Sequence, residues 1–344
     1  MKKTTVIGIA GTAKNTGKTT TLNCLLNVAA HRKIPIAVSG IGYDGEVIDT
    51  ITQLPKPRIA VCRGMIVSTS EQCLENSSAH VDVLERTGIH TPLGEIVILR
   101  INRSGLIVVA GPNKKNDLHT VIQRLRQYHV EYIFIDGALN RIAPMSLVDS
   151  IVFTTGGSRS ADMCLLCKEM KGIESLFQMS SEKKNHALLQ QTIETRYLLD
   201  ADDVETIFSK IDSAHATLFV TKTVSIKALE LLPIVNDRTQ RSLASLMLTD
   251  PCILLMNEDS IRMSRCLTVL TESGISVTFH HHPVLSCITA NPFLPRYIGG
   301  SYMAEYLDKT ELVYQLRSAC STPVFDTRET DPSILFSTCI ATHP

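Results

Sequence analysis

The chain of 344 residues carries 34 lysines and arginines against 34 aspartates and glutamates, a formal net charge of zero. That balance excludes a global field drawing the protein to nucleic acid or to an anionic membrane, and it favours a protein or a small molecule as partner. The length allows two domains of ordinary size, and ten cysteines with no secretory segment ahead of them predict reduced thiols in the cytoplasm. Met1-Lys2-Lys3-Thr4 opens on too few apolar residues for a signal peptide, and no apolar run approaches a membrane span.

Thr4 to Thr20, TTVIGIAGTAKNTGKTT, reads as an apolar strand, a turn of small residues ending Gly17-Lys18-Thr19, and a helix start. Val6, Ile7 and Ile9 precede the turn as a buried strand does, and Leu22, Leu25, Leu26 and Ala29 follow at helical spacing. A turn of this kind holds polyphosphate. Backbone N–H groups point inward, Lys18 reaches the outer phosphates, the Thr19 hydroxyl sits on Mg²⁺, and the helix adds the positive end of its dipole. Counting back from Lys18, the usual first glycine falls on Thr12, and the glycine present is Gly11. This Gly-Thr-x-x-x-x-Gly-Lys-Thr spelling resembles the loop of dethiobiotin synthetase and its relatives, which implies a mostly parallel sheet. In the related partition ATPases an extra lysine stands where this chain has Ala13. Here the lysine is Lys14, a departure from the position that reaches across a dimer interface in that group.

The first helix is expected from Lys18 to about His31, and Ile34 to Val38 as a second strand. Gly42-Tyr43-Asp44-Gly45-Glu46 lies where a loop beside the terminal phosphate belongs. Asp44 is therefore a candidate for Mg²⁺ or for positioning water, with an acidic turn residue as the equal alternative. Arg58 to Ser68 reads as extended and Ser78 to Thr87 as a helix. Glu95 to Asn102 and Gly105 to Ala110 read as a hairpin around Arg103-Ser104-Gly105. Gly111 to Asp117 compares with the guanine-reading Asn-Lys-x-Asp, but Asp117 comes one residue late, so a loop and helix cap is expected and ATP is preferred to GTP. Val121, Leu125 and Tyr128 give the helix face that follows.

Glu131 to Gly137, EYIFIDG, is the second signal: a buried strand ending in aspartate, with Asp136 placed to hold the magnesium shell and Gly137 letting the chain turn. Arg141, in the segment after it, is read mainly as a structural salt bridge and secondarily as a charge stabiliser. Ser150 to Thr155 is a short strand opening into Gly156-Gly157. Ala161 to Phe177 reads as a helix whose Cys164 and Cys167 lack a second pair at ligand spacing, so both are expected on one buried face. Ser180 to Asn185 reads as a linker.

From about Thr217 the strand-helix rhythm resumes without a phosphate loop. Strands are expected at Leu218 to Val220, Cys252 to Met256, Ile275 to Phe279, Cys287 to Thr289 and Pro323 to Phe325. Helices are expected at Ser225 to Leu232, Asp259 to Thr271 and Lys309 to Cys320. His280, His281 and His282 are consecutive, so on a strand they cannot all turn to one ion.

Five segments together resemble a P-loop family that includes the ATP-dependent reactivase subunit of adenosylcobalamin-dependent lysine 5,6-aminomutase. They are AGTAKNTGKTTTLN (Ala10 to Asn23), CRGMIVSTSEQCLE (Cys62 to Glu75), AGPNKKNDL (Ala110 to Leu118), IDGALNRIAPMS (Ile135 to Ser146) and ITANPFLP (Ile288 to Pro295). The resemblance implies phosphate binding by Gly11, Asn15, Thr16, Gly17, Lys18 and Thr19, and Thr12, Lys14 and Thr20 of the same stretch are further candidates for the nucleotide. It places Mg²⁺ with Thr19, Asp136 and Asp44, and the chemistry with Lys18 and Asp136. It implies a helper protein that uses Mg-ATP to free damaged cobalamin, with a second reactivase subunit and the aminomutase as partners. Self-association is left open. The Asp117-x-His119 start of a base-off cobalamin motif has Ile122 where glycine is needed, so a helix cap is expected there.

These readings predict an α/β protein. A P-loop nucleoside triphosphatase domain with a mostly parallel sheet flanked by helices is expected over 1–215, with a smaller C-terminal α/β domain over 216–344. An ATP-dependent reactivating factor leads. The alternatives are a dethiobiotin-synthetase-like ligase phosphorylating a small carboxylate or carbamate, with Lys14 and Arg141 as its available cations, and a GTPase-type metallochaperone.

Overall fold

A computed structural model describes residues 4–42, 58–137, 143–179, 191–212, 215–239, 243–257, 259–298 and 301–341. In chain order, β1 (Thr5–Gly11) leads into α1 (Lys18–His31), and β2 (Ile36–Gly40), β3 (Ile59–Val61) and β4 (Ile66–Ser70) follow. The long strands β5 (His80–Thr91) and β6 (Gly94–Arg103) precede β7 (Gly105–Ile107), α2 (Lys115–Arg126), β8 (Tyr132–Asp136), β9 (Ser150–Gly156) and α3 (Met163–Gln178). Then come β10 (Gln191–Thr195), α4 (Ala201–Ser209), β11 (Ala216–Val220), α5 (Ile226–Thr239), β12 (Leu243–Leu248), α6 (Cys252–Leu255), α7 (Ser260–Glu272) and β13 (Ser276–Phe279). The last elements are β14 (Val284–Asn291), β15 (Phe293–Ile298), β16 (Ser301–Tyr306), α8 (Lys309–Ala319), β17 (Val324–Asp326) and α9 (Pro332–Ala341).

The chain forms two compact units, Met1–Cys167 with Val284–Pro344, and Lys168–Pro283. The first is built on a nine-stranded sheet in the order β17-β14-β9-β1-β8-β2-β4-β6-β5. Pairing is parallel from β17 through β4 and antiparallel at β6 and β5. β1 alternates its side chains between two buried faces, as a central parallel strand does. Ile7 and Ile9 share a core with Leu22, Leu25 and Leu26 of α1 and with Leu335 and Phe336 of α9. On the opposite face Gly8 makes room, since a Cβ there would lie 2.6 Å from the Met145 sulfur and 3.2 Å from Val148 Cγ1.

The second unit holds a parallel four-stranded sheet in the sequential order β10-β11-β12-β13. Consecutive order with right-handed crossovers puts the connecting helices on one face, and α4 packs on α5 and α5 on α7. Asp200 and Asp203 form a capping box at α4, and the Asp259 carboxylate accepts the Arg262 N–H at the start of α7.

The α/β class and the mostly parallel, helix-flanked sheet are as the sequence predicts, but the division at 215 and 216 is not. Residues from Val284 onward return to the first sheet, where β14 pairs with β9 and β17 with β14, so the smaller α/β unit is an insertion and not a C-terminal domain. Both units share one strand-helix rhythm, and no change of composition marks the return at Val284. Ser78 to Thr87 is strand and not helix. Three register shifts in β5 break its alternation, which hides the period of two in the sequence. The expected hairpin of Glu95 to Ala110 does not form, because β6 pairs with β4 and β5 while β7 pairs with β3. Cys252–Leu255 is helical and not a strand: Pro251 precedes it, and the buried Asp250 carboxylate accepts the Cys252 N–H at 2.9 Å. A run of five apolar residues is too short for periodicity to decide between the two.

Candidate functional site

β1, the turn of residues 12–17 and α1 occur in the predicted order at the centre of the sheet. β1 lies between β8 and β9. The chain moves from β1 to β2 on the β8 side, then crosses back from β8 to β9, which makes the carboxyl end of β1 a topological switch point. Asp136 stands opposite Ile9 on one side, and Thr154 opposite Gly11 on the other.

The turn is held by its own atoms and by β9. Thr12 donates its N–H to the Thr154 carbonyl at 2.9 Å, and its hydroxyl reaches Thr155 Oγ1 at 3.1 Å, so its polar groups extend the strand contact. Thr16 is buried. Its hydroxyl donates to the Ala13 carbonyl at 3.0 Å and lies 2.8 Å from Thr154 Oγ1. Lys18 Nζ donates to the same Ala13 carbonyl at 3.0 Å, which folds the lysine back over the turn. Asn15 (φ 61°) and Gly17 (φ 98°) are both left-handed, which bends the backbone into a concave nest. Gly11 is required by space: a Cβ there would sit 2.5 Å from Thr16 Oγ1, 2.6 Å from Thr154 Oγ1 and 2.9 Å from Lys18 Cγ. The glycine one place early is thus the one the turn closes over.

Among the described residues no side chain caps α1, and its first turn holds no acidic group. The positive end of the helix dipole therefore faces the turn with no side-chain countercharge of its own. Thr19 is half-buried, and Thr20 and Lys14 are exposed. Asp136 ends β8 half-buried, with Oδ1 shielded from solvent and its carbonyl accepting the Ile41 N–H at 2.8 Å. Beside it the 111–113 turn crosses the end of β2, where Gly111 donates to the Gly42 carbonyl and Gly42 to the Pro112 carbonyl. A Cβ on Gly111 would overlap the Gly40 carbonyl oxygen, so only glycine passes. Asp117 lies in the first turn of α2, after a turn ending at Lys114. Asp44 and Arg141 lie outside the described residues.

Sequence reasoning missed Ser158 and Asn291. Ser158 Oγ donates to the Asn15 carbonyl at 3.1 Å and Asn291 Nδ2 donates to it at 2.8 Å. The signal available was a pair of strands ending in Gly156-Gly157-Ser158 and Asn291-Pro292, each at the carboxyl edge beside the turn.

Cys164 and Cys167 do not share a buried face as expected. Cys167 is buried and Cys164 exposed, because α3 turns the first of them outward. The histidines diverge too: the His280 ring meets Phe219 and the His282 ring meets Phe279, and burial holds the His282 imidazole below its ordinary range. Among the described residues no three His, Cys, Asp or Glu side chains gather to hold a metal, and no helix is long and apolar enough to cross a membrane.

Fold and site together define an α/β protein with a large, mostly parallel sheet and a glycine-bearing turn at its switch point. Comparison with protein-family models, with curated proteins and with solved structures finds no match in any of the three.

Proposed function

We propose that this chain binds and cleaves Mg-ATP as a P-loop nucleoside triphosphatase. The observation that carries the reading is the nest of residues 11–17 opening onto the uncapped start of α1, with Lys18 folded over it and Asp136 ending the neighbouring strand. The residues fit the nucleotide: two left-handed residues, Asn15 and Gly17, bend the turn into a nest, and Gly11 lets that turn close tightly against β9. A hydroxyl and a carboxylate, Thr19 and Asp136, are the donors a hard cation takes. When bound, Mg²⁺ supplies charge neutralisation between the phosphate oxygens. Lys18 exchanges its contact with the Ala13 carbonyl for the phosphates, the turn's amides orient the chain of phosphates, and Asp136 holds its charge on the β8 side.

ATP is preferred to GTP on the late position of Asp117. The five resembling segments support assigning the reaction to reactivation of an adenosylcobalamin-dependent aminomutase, with a second reactivase subunit and the mutase as partners. The test is rescue: protein plus partner subunit restores an inactivated mutase in Mg-ATP, and Lys18→Ala abolishes both rescue and phosphate release while the circular dichroism stays unchanged. Failure of rescue with intact Mg-ATP hydrolysis removes the reactivase role alone. Absence of any heat on mixing with Mg-ATP or Mg-GTP removes the nucleotide reading itself.

A further inference from the structure

The Asn15 carbonyl sits at a junction that binding of phosphate by the turn does not by itself require. It accepts from Asn291 Nδ2 at 2.8 Å and from Ser158 Oγ at 3.1 Å. Both donors belong to the segments that end β9 and β14, 143 and 276 residues away in the sequence. Asn15 is the left-handed non-glycine residue of the turn, at φ 61°. That conformation costs on the order of 1 kcal/mol for a residue with a Cβ, so it persists where surrounding contacts fix it. In a trans peptide the carbonyl and the following N–H point in opposite directions. Anchoring the Asn15 oxygen to β9 and β14 therefore turns the Thr16 N–H the other way, away from those strands.

The same two donors also hold the root of the β15–β16 hairpin. The single Ser158 hydroxyl proton is shared between the Asn15 and Phe293 carbonyls, each 3.1 Å from Oγ, and Asn291 Oδ1 accepts the Phe293 N–H at 3.2 Å. β14 adds a second tie on the same face, two residues back, where Thr289 Oγ1 lies 2.9 Å from Thr21 Oγ1 of α1. Phe293 pairs with Tyr306 across the hairpin, ring centroids 6.0 Å apart, and the exposed Tyr297 lies further along β15. A two-stranded hairpin is not stable alone, so its root contacts set its placement.

We propose that Asn291, assisted by Ser158, is a positioning residue that fixes the Asn15 peptide for phosphate binding, and that through it the β15–β16 hairpin responds to occupancy of the turn. This rests on the Mg-nucleotide reading given above. Asn291 touches no phosphate; it acts through Asn15. Binding that tightens or turns the Asn15 peptide changes the length of the Asn291 contact, and the other end of that side chain carries the change to the Phe293 N–H.

The chain contains no tryptophan, so Tyr306→Trp introduces a single indole next to Phe293, and Tyr297→Trp serves if the first variant does not fold. In the Asn291-intact protein, saturating Mg-ATP is expected to shift the emission of that indole. Asn291→Ala is expected to raise the Mg-ATP Kd by about tenfold, the loss of one well-placed hydrogen bond, with unchanged circular dichroism. At nucleotide concentrations that saturate the Asn291→Ala protein by calorimetry, the emission shift is expected to be absent. A merely structural Asn291 leaves the shift in place once nucleotide is bound. An Asn291→Ala Kd within twofold of the parent, or an emission shift that survives the substitution, overturns the inference while the nucleotide reading stands. No calorimetric heat from the parent protein with Mg-ATP overturns both.

Discussion

Gly11→Ala tests the geometry of the turn at its tightest point. The added methyl would lie 2.5 Å from Thr16 Oγ1 and 2.6 Å from Thr154 Oγ1, two hydroxyls that are themselves 2.8 Å apart. It enters as a wedge between paired buried groups, and the backbone of β1 is held in register by β8 and β9 on both sides, so the strand has little room to retreat. Overpacking costs about 1–3 kcal/mol and losing the hydroxyl pair about 1 kcal/mol, a total of about 2–4 kcal/mol. A chain with two compact units has no single unfolding free energy, so the suitable assay is native-state hydrogen exchange of the β1 amides. The expected acceleration is about 30-fold to about 1,000-fold, accompanied by weakened Mg-ATP binding. Thr154→Ala in the same chain removes one of the two obstructing oxygens, and the double variant should lose less than the sum of the singles. Exchange in Gly11→Ala within threefold of the parent refutes the steric argument.

Asp136→Asn keeps the shape of the side chain and removes its charge; phosphate release at saturating Mg²⁺ should fall about 100-fold, and an unchanged rate refutes a metal-holding role. Gly105→Ala should destabilise β7 by about 1–3 kcal/mol, because its Cβ would lie 2.5 Å from the Ala79 nitrogen and 2.7 Å from its Cα; faster exchange of the Leu106 and Ile107 amides is the readout. Burial lowers the His282 pKa from its ordinary 6.5, so below that pH the unfolded chain takes up a proton that the folded one refuses. Its contribution is complete above pH 6.5 and is lost as pH falls, and His282→Phe should flatten the acid side of the stability profile of the second unit.

The glycine-bearing turn at the switch point was legible because β1, the turn and α1 are contiguous, so period, glycine and lysine appear in one stretch of text. β8 was legible for the same reason: four apolar or aromatic positions end abruptly in Asp136. What escaped was long-range. Ser158 and Asn291 look like ordinary loop residues until parallel pairing brings β9 and β14 beside the turn. The inserted unit escaped because residues 168–283 continue the same alternation of strand and helix. β5 escaped because its bulges spoil the alternation, and α6 because four residues flanked by proline and methionine carry no period at all.

The insertion also imposes an order on synthesis. The ribosome delivers Gly17-Lys18-Thr19 ahead of the amide that grips the Asn15 carbonyl, which follows 276 residues after Asn15 and only once the whole inserted unit has been made. A nascent chain therefore carries the Gly-Lys-Thr turn long before it has the clamp that gives it shape. The turn thus takes its final shape only after β14 has been made, while the edge strand β17 is still to come.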